Sequence, residues 1–373
     1  MVDLSRDGVF AAETEAEKAA VYRIRYDIYV VEMDRYKSTA DHQARHLIEP
    51  EDQQSRLYYA VRDGAVVGTM RHTWGGDNAP PPRMVEQYAL VPFLEDIPQE
   101  QIIVGERFMV ARDYGGSDLL GQMFATFLGF ANDNRIQLIF GDCEPYLLNL
   151  YLGMGFRAYS RHNVNSSETG YLIPLVMVPE DMNYMRELGS SLVGVLKNFG
   201  ADTRVPKATR RILDQGSAVI SERLTSPDAF WSEVYGYINE LEENRPSLFD
   251  GLDDASVQAC LSKSTIIDCR KGDLVIKKDN VAQNLFVVLS GILEVGDDDE
   301  IVAVLKPGDV FGEIAFLLGR PRTRDVKAAT DNTRVISMSE TTIRNMIDTD
   351  SRAAAQLLLN ISKMLCVRLI TSA

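Results

Sequence analysis

The stretch Phe311-Gly312-Glu313-Ile314-Ala315-Phe316-Leu317-Leu318-Gly319-Arg320-Pro321-Arg322-Thr323 decides how the last third of this 373-residue chain is read. A glycine and an acid open it. An arginine closes it after one short apolar turn. Enclosing a singly charged phosphate requires a buried guanidinium and free backbone N–H groups. A sugar hydroxyl requires a carboxylate acceptor. Glu313 and Arg322 supply both groups at a separation that a short helix can hold.

The surrounding sequence, residues 246–373, is a succession of short strands. They are predicted at Asp273 to Lys277, Leu285 to Leu289, Leu293 to Val295, Ile301 to Leu305 and Arg334 to Met338. Gly272, Gly291, Gly296 and Gly308 punctuate them. This spacing predicts a small β-jelly-roll with flanking helices. The last helix, Ala353 to Leu369, places Leu357, Leu358, Ile361, Met364, Leu365 and Arg368 near helical spacing. It is read as a lid over a ligand, a homodimer seam or a packed core helix.

On these residues the segment resembles the phosphate-binding cassette of cyclic-nucleotide-binding domains. Gly272 to Ile276 and Leu285 to Gly291 resemble strands of the same family. The resemblance implies that Glu313 accepts from the ribose 2′-hydroxyl and that Arg322 pairs with the phosphate. It also implies that Gly312 and Ala315 offer amides and that Thr323 bonds the phosphate or base. The implied effector is cAMP, with cGMP the alternative hinted at by Thr323. Two positions depart from the family pattern. Arg324 stands where a small residue is usual, so it either points outward or crowds the pocket. Asp279 stands where glycine is frequent. Transcription factors of this family continue into a helix-turn-helix, and this sequence stops at Ala373. With a net charge of −15, nucleic acid is not an expected partner.

Residues 1–180 alternate helix and strand patterns and predict an α/β domain with a central sheet. Lys18 to Val31 reads as a helix. Leu57 to Val61 and Val66 to Met70 read as strands joined by the hairpin signal Asp63-Gly64. Ile102 to Val110 is a strand, Ser117 to Asn132 a helix with Ser117 as its cap, Ile136 to Phe140 a buried strand and Gly170 to Val178 a late one. Residues 181–245 read as a helical connector, or as extra helices packed on the first domain, interrupted by Pro206 and Pro227.

Strand Ile102–Val110 runs into Arg112-Asp113-Tyr114-Gly115-Gly116-Ser117 and a helix, which is an anion cradle by type. Farther on stands Leu150-Tyr151-Leu152-Gly153-Met154-Gly155-Phe156. Together these resemble the GNAT acyltransferases, with Arg112, Gly115 and Ser117 on the pyrophosphate turn and Tyr151 at the position of the family's acid tyrosine. Arg25 to Val30, Val67 to Arg71 and Glu106-Arg107-Phe108 resemble the acyl-homoserine-lactone synthases and the N-acyl amino acid synthases. In the lactone synthases that Glu and Arg are two residues apart; here they are adjacent. The resemblance implies an acyl donor, acyl-CoA or acyl-ACP, hence acyl carrier protein as a candidate partner, and a small amine or amino acid as acceptor.

Such chemistry needs a base for the ammonium and an acid for the leaving thiolate. Glu106 is the first candidate base, its alternative being a structural salt bridge with Arg71. Tyr151 is the candidate acid, its alternative being packing. Asp142, Cys143 and Glu144 are held in reserve. The aromatic and proline-rich stretch Trp74 to Phe93 is a candidate lining for an acyl pocket. A protein lysine as acceptor, and a non-catalytic sensor on a decayed transferase, stay open.

Composition adds bounds. The chain is 45% hydrophobic and 25% charged, as in ordinary globular proteins. No uninterrupted apolar run approaches the ~20 residues that span a bilayer. The N-terminus has no basic-then-apolar leader, which places the expectation in the cytoplasm. Cys143, Cys260, Cys269 and Cys366 have no metal spacing and read as buried thiols. His42 and His46 lie four apart without a third ligand, so no metal is expected. Arg204, Lys207, Arg210 and Arg211 form the one dense basic cluster, read as a solvated helix face or linker, with docking of an acidic partner protein as the alternative.

Overall fold

The computed structural model describes residues 2–115, 118–160, 163–166, 168–198, 247–261, 264–280, 284–297 and 300–371, and between them only 205, 209–210, 213, 219–221, 230–232 and 234–236. Ser117, Arg204, Pro206, Lys207, Arg211 and Pro227, to which the sequence assigns roles, therefore lie outside the described residues.

The chain separates into two compact units. The first holds Met1–Cys143, Leu150–Ser160 and Pro174–Gly216; the second holds Glu144–Asn149, Arg161–Ile173 and Ser217–Ala373. This division differs from the expected boundaries at 180 and 245. The described apolar residues of the range 181–245 divide between the two cores. Leu192 and Leu196 are buried within the first unit, and Phe230 and Val234 belong to the core cluster of the second.

The strands of the α/β sheet are β1 Gly8–Ala11, β2 Arg56–Arg62, β3 Ala65–Trp74, β4 Ile102–Val110, β5 Leu138–Cys143, β6 Arg157–Ala158, β7 Val164–Ser166 and β8 Gly170–Met177. Their order is β1-β2-β3-β4-β5-β8-β6, with β7 on β8. The β2–β3 hairpin turns on Asp63 and Gly64, both at positive φ (54° and 73°), the backbone that a two-residue primed turn needs. Helix α1, Glu15–Arg25, starts from a capping box of Thr14 and Glu17. It does not run on as α-helix to Val31. Tyr26–Glu32 is a π-helix, whose wider turn buries Tyr26, Ile28, Tyr29 and Val30.

Between β3 and β4 lie α2 Pro82–Gln87 and α3 Val91–Leu94. Met84, Tyr88, Leu90 and Phe93 from this stretch pack with Phe140 and Tyr159 in a core cluster. The expectation that Trp74 to Phe93 lines an acyl pocket is corrected: Met84, Tyr88, Leu90 and Phe93 are core, most of the rest is exposed or half-buried, and the pocket beside β4 is lined by other residues. Helix α4, Leu119–Asp133, begins two residues after Ser117. Asp118 precedes it, with a side chain that pairs with Arg62 (2.8 Å) rather than capping. Helices α5 Leu148–Met154, α6 Met182–Glu187 and α7 Val193–Asn198 follow.

The second unit is a two-sheet β-jelly-roll. One sheet has the order β15-β12-β17-β10-β9, the other β11-β16-β13-β14. The ranges are β9 Val219–Ser221, β10 Thr265–Cys269, β11 Leu274–Ile276, β12 Leu285–Ser290, β13 Leu293–Asp297, β14 Glu300–Leu305, β15 Val310–Phe311, β16 Asp325–Ala328 and β17 Thr333–Met338. Helices α8 Asp254–Leu261, α9 Glu313–Leu318, α10 Glu340–Thr349 and α11 Ser351–Thr371 complete it. By length and composition alone α11 could cross a membrane (20 residues, mean hydropathy 1.4). Its Ala353, Ala354, Leu357 and Ile361, however, join the core that also holds Leu285, Val287 and Met338. Of the four cysteines, Cys366 departs from expectation by being exposed.

One buried group makes the first unit acid-sensitive. His72 on β3 is fully buried against Tyr58, Phe127 and Phe130, and neither ring nitrogen has a hydrogen-bond partner. Burial, aided by Arg56, pushes its pKa down to about 3. Below pH 6.5 the unfolded chain takes up a proton that the fold refuses, so stability falls as pH falls toward 3, by roughly 1.4 kcal/mol per unit. His72→Phe keeps the ring contacts and removes this slope. Denaturation midpoints at pH 7 and 5 should converge in the variant and diverge in the parent; parallel shifts would refute it.

Candidate functional site

In the second unit, Gly312 and Glu313 start α9 and Arg322 follows it. Gly312 has φ 78°, and a Cβ there would sit 2.5 Å from Arg322 Nη1 and 3.0 Å from the Asn284 carbonyl. Only glycine admits the arginine. The Arg322 guanidinium donates to the carbonyls of Gly312 (2.8 Å) and Asn284 (2.7 Å) and stands 5.7 Å over the Phe286 ring. It is 4% exposed, and burial lowers its pKa to about 10 against the favourable charges of Glu313 and Glu144. It stays cationic at neutral pH. Ala315 is buried on the first turn of α9, whose N–H groups have no partner inside the helix.

Glu313 is buried, and Arg368 of α11 donates to it at 3.3 Å and also to the Val310 carbonyl. Thr323 is exposed. Arg324 points outward to an ion pair with Asp297, which resolves the question of crowding. Asp279 adopts φ 67°, which accounts for glycine being frequent there in the family, and its N–H donates to the Arg322 carbonyl at 2.8 Å. A cavity reaches Arg322 past Asn284, Phe286, Lys277, Asn280, Tyr146 and Glu144. Asn284 and Arg368 were not singled out as ligand-site groups by sequence. Asn284 contributes a backbone carbonyl, and Arg368 lies 55 residues beyond its partner in sequence.

In the first unit β4 and β5 run parallel but pair only at Ile102, Ile103 and Val104 against Leu138, Ile139 and Phe140. Beyond that point β4 carries a bulge. Arg71 faces Glu106 and Thr69 faces Met109, so two residues of β4 oppose Met70. Arg107 takes φ 55° to make it. A pocket opens there, lined by Gly105, Phe108, Gly141, Asp142, Tyr151 and Phe156 among others.

Beside it lies a charged network. Arg71 bonds Glu106 (2.7 Å), Asp52 (2.9 Å) and Glu49 (3.1 Å); Arg25 bonds Asp52 (2.7 Å); Arg107 bonds Glu49. Three guanidinium groups face three carboxylates, the balance that burial demands. Burial alone would raise the Glu49 pKa. Arg107, Arg71 and Arg25 outweigh it and hold the group at about 2. Glu106 thus makes the salt bridge with Arg71 that was its structural alternative. It also faces a hydroxyl: Tyr88 lies 3.3 Å from Glu106 and donates to Asp142 at 2.8 Å, where Gln87 also donates. Burial, then the charge of Glu106, raises the Asp142 pKa. Tyr88 was missed by sequence because it sits in a proline-flanked loop with no pattern of its own.

Tyr151 lines the pocket, 5.4 Å from the Phe156 ring. Arg112 is exposed on a short turn, and Gly115 follows at an ordinary φ of −59°. A Cβ on Gly115 would meet only the Arg112 carbonyl, at 3.1 Å. His42 bonds the Tyr26 hydroxyl (3.0 Å) and the Lys37 carbonyl (2.8 Å), a local structural role.

Comparison with known proteins bears on the second unit. Residues 266–350 match the family model of the cyclic nucleotide-binding domain. A voltage-gated delayed rectifier potassium channel of Homo sapiens is 31% identical over 121 residues, which cover 30% of this chain and 12% of the channel. A CRP-like cAMP-activated global transcriptional regulator of Mycobacterium tuberculosis is 24% identical over 119 residues, 31% of this chain and 53% of the regulator. The chain therefore spans about an eighth to a half of the length of these curated relatives. Among solved structures, a cyclic nucleotide-binding domain from Methylobacillus flagellatus aligns at TM-score 0.35 and 17% identity over 42% of this chain and 85% of that one. A CoA-dependent acyl-homoserine lactone synthase, BjaI, aligns at TM-score 0.38 and 18% identity over 55% of this chain and 97% of that one. Superpositions this loose fix neither fold nor chemistry. The C-terminal part of the chain carries a cyclic nucleotide-binding domain.

Proposed function

We propose that the chain is an N-acyltransferase under cyclic-nucleotide control. The observation that carries the transferase half is the parting of β4 from β5 at the Arg107 bulge, beside Glu106, Tyr88 and Asp142. Unpaired strand backbone at that gap gives a thioester carbonyl N–H donors, and the aromatic lining suits an acyl chain or pantetheine arm. The acceptor ammonium loses a proton to the carboxylate pair and attacks the carbonyl carbon. The C–S bond breaks, the thiolate takes a proton from Tyr151, and the nitrogen gives up its second proton, which restores the tyrosine as the amide forms. The amine is a small molecule or amino acid, and the donor is acyl-CoA or acyl-ACP. Arg112, Gly115 and Ser117 would meet the donor's phosphates.

In the second unit Arg322 takes the cyclic phosphate and Glu313 the ribose, with Gly312 and Ala315 donating amides and Thr323 at the rim. Cytoplasmic placement belongs to the same proposal. So does a homodimer through α11, whose Leu359, Val367, Leu369 and Ile370 are exposed.

The test is release of free thiol from a panel of acyl thioesters with mixed amines, with and without saturating cAMP or cGMP. Turnover that changes about 5–150-fold with nucleotide is expected, the span of a 1–3 kcal/mol coupling. No thiol release with any pair would leave a sensor without catalysis. Release that ignores both nucleotides would remove the control.

A further inference from the structure

We propose that Glu144 is a built-in competitor for the ligand phosphate, holding its carboxylate in the Arg322 cavity until nucleotide displaces it. The proposal rests on the reading of Arg322 as the phosphate's partner.

Glu144 and Arg322 line one cavity of the second unit, together with Asn280, Asn284 and Lys277. Glu144 is 7% exposed, so its charge is felt locally rather than dispersed in water. Its position is set from two sides. Its Oε2 accepts from Asn280 Nδ2 at 3.0 Å, and its own carbonyl accepts from the Leu147 N–H at 2.9 Å. Asn280 is also the residue whose carbonyl accepts from the Arg322 N–H at 2.8 Å. Acid and arginine are therefore tied to the same residue, one through its side chain and one through its backbone. Charge points the same way: Glu144 is one of two acids that favour the cationic form of Arg322, Glu313 being the other. Glu313 has a sugar to meet. Glu144 has no such task and faces an arriving anion with a like charge in a shielded cavity. Within that one cavity the ligand phosphate and the Glu144 carboxylate compete for the charge of Arg322. Binding therefore displaces the acid, and with it the turn Pro145–Leu147 that it heads. In sequence Asp142, at the end of β5, lies two residues upstream.

Glu144→Gln is the informative substitution. It keeps the shape and the acceptor for Asn280 and removes only the charge. Calorimetric titration of the full-length protein with cAMP, and separately with cGMP, is made on the parent, Glu144→Gln, Glu144→Ala and Arg322→Ala. Both Glu144 variants should bind about 5–50-fold more tightly than the parent, with Arg322→Ala weaker. Unchanged or weaker binding in folded Glu144 variants, with Arg322→Ala still impaired, overturns the competitor. Undiminished binding by Arg322→Ala overturns instead the reading on which it rests. Thermal unfolding identifies any variant that has not folded, and two different replacements at position 144 keep the test open.

Discussion

Alanine in place of Arg322 is expected to weaken cyclic-nucleotide binding by about 2–4 kcal/mol, roughly 30- to 900-fold. The size follows from three facts. The guanidinium is buried, it is cationic at neutral pH, and it is held by two carbonyls on either side of a glycine that leaves it just enough room. Removing it leaves a phosphate with first-turn N–H groups and no counter-charge. Lysine should not rescue, because one ammonium cannot reproduce two planar donors held by Gly312 and Asn284. Calorimetry on the full-length protein checks both substitutions, and equal affinity in the parent and Arg322→Ala would remove Arg322 from the phosphate.

Replacing Glu106 by glutamine is expected to lower kcat by 10²- to 10⁴-fold with little change in KM for either substrate. A base acts in the transition state, so its loss is not felt in ground-state binding. The glutamine retains an acceptor for Arg71, which limits collapse of the buried network. Asp142→Asn is the companion measurement. If Glu106→Gln keeps full kcat across pH while Asp142→Asn loses it, the base is Asp142, whose proton affinity burial and the charge of Glu106 raise. If both keep full kcat, the proton is taken elsewhere and the proposed mechanism fails. An unchanged nucleotide titration serves as the folding control.

Much of the second unit was legible because its signals are local. The Gly312, Glu313 and Arg322 pattern falls within eleven residues, and β11 to β14 and β17 announce themselves as short apolar runs between turn residues. β9 and β15 escaped because they are only three and two residues long, and β10 and β16 because charged residues interrupt short runs, Asp268 in one, Asp325 and Lys327 in the other. In the first unit the sheet was legible from β2 to β5, yet its charged network was not. Glu49 and Asp52 lie in a 3₁₀ turn and its approach, and only tertiary folding brings them to Arg71 and Arg107. Unit boundaries were missed for the same reason. Residues 144–149 and 161–173 follow the α/β sequence but pack with the second unit, and no compositional shift marks the crossing.

The bond between Arg368 and Glu313 has a consequence for how any measured affinity is read. If Glu313 is the sugar's acceptor, as proposed, and the sugar needs the oxygen that Arg368 occupies, only molecules with that bond open are competent to bind. The observed dissociation constant is the intrinsic one divided by the competent fraction. If about one molecule in a hundred is open, a nanomolar pocket reports as roughly tenth-micromolar. On that reading Arg368 would shift the concentration window in which the protein responds, independently of the contacts the nucleotide finally makes. A shift in dose response can evolve at position 368 while the pocket itself stays untouched.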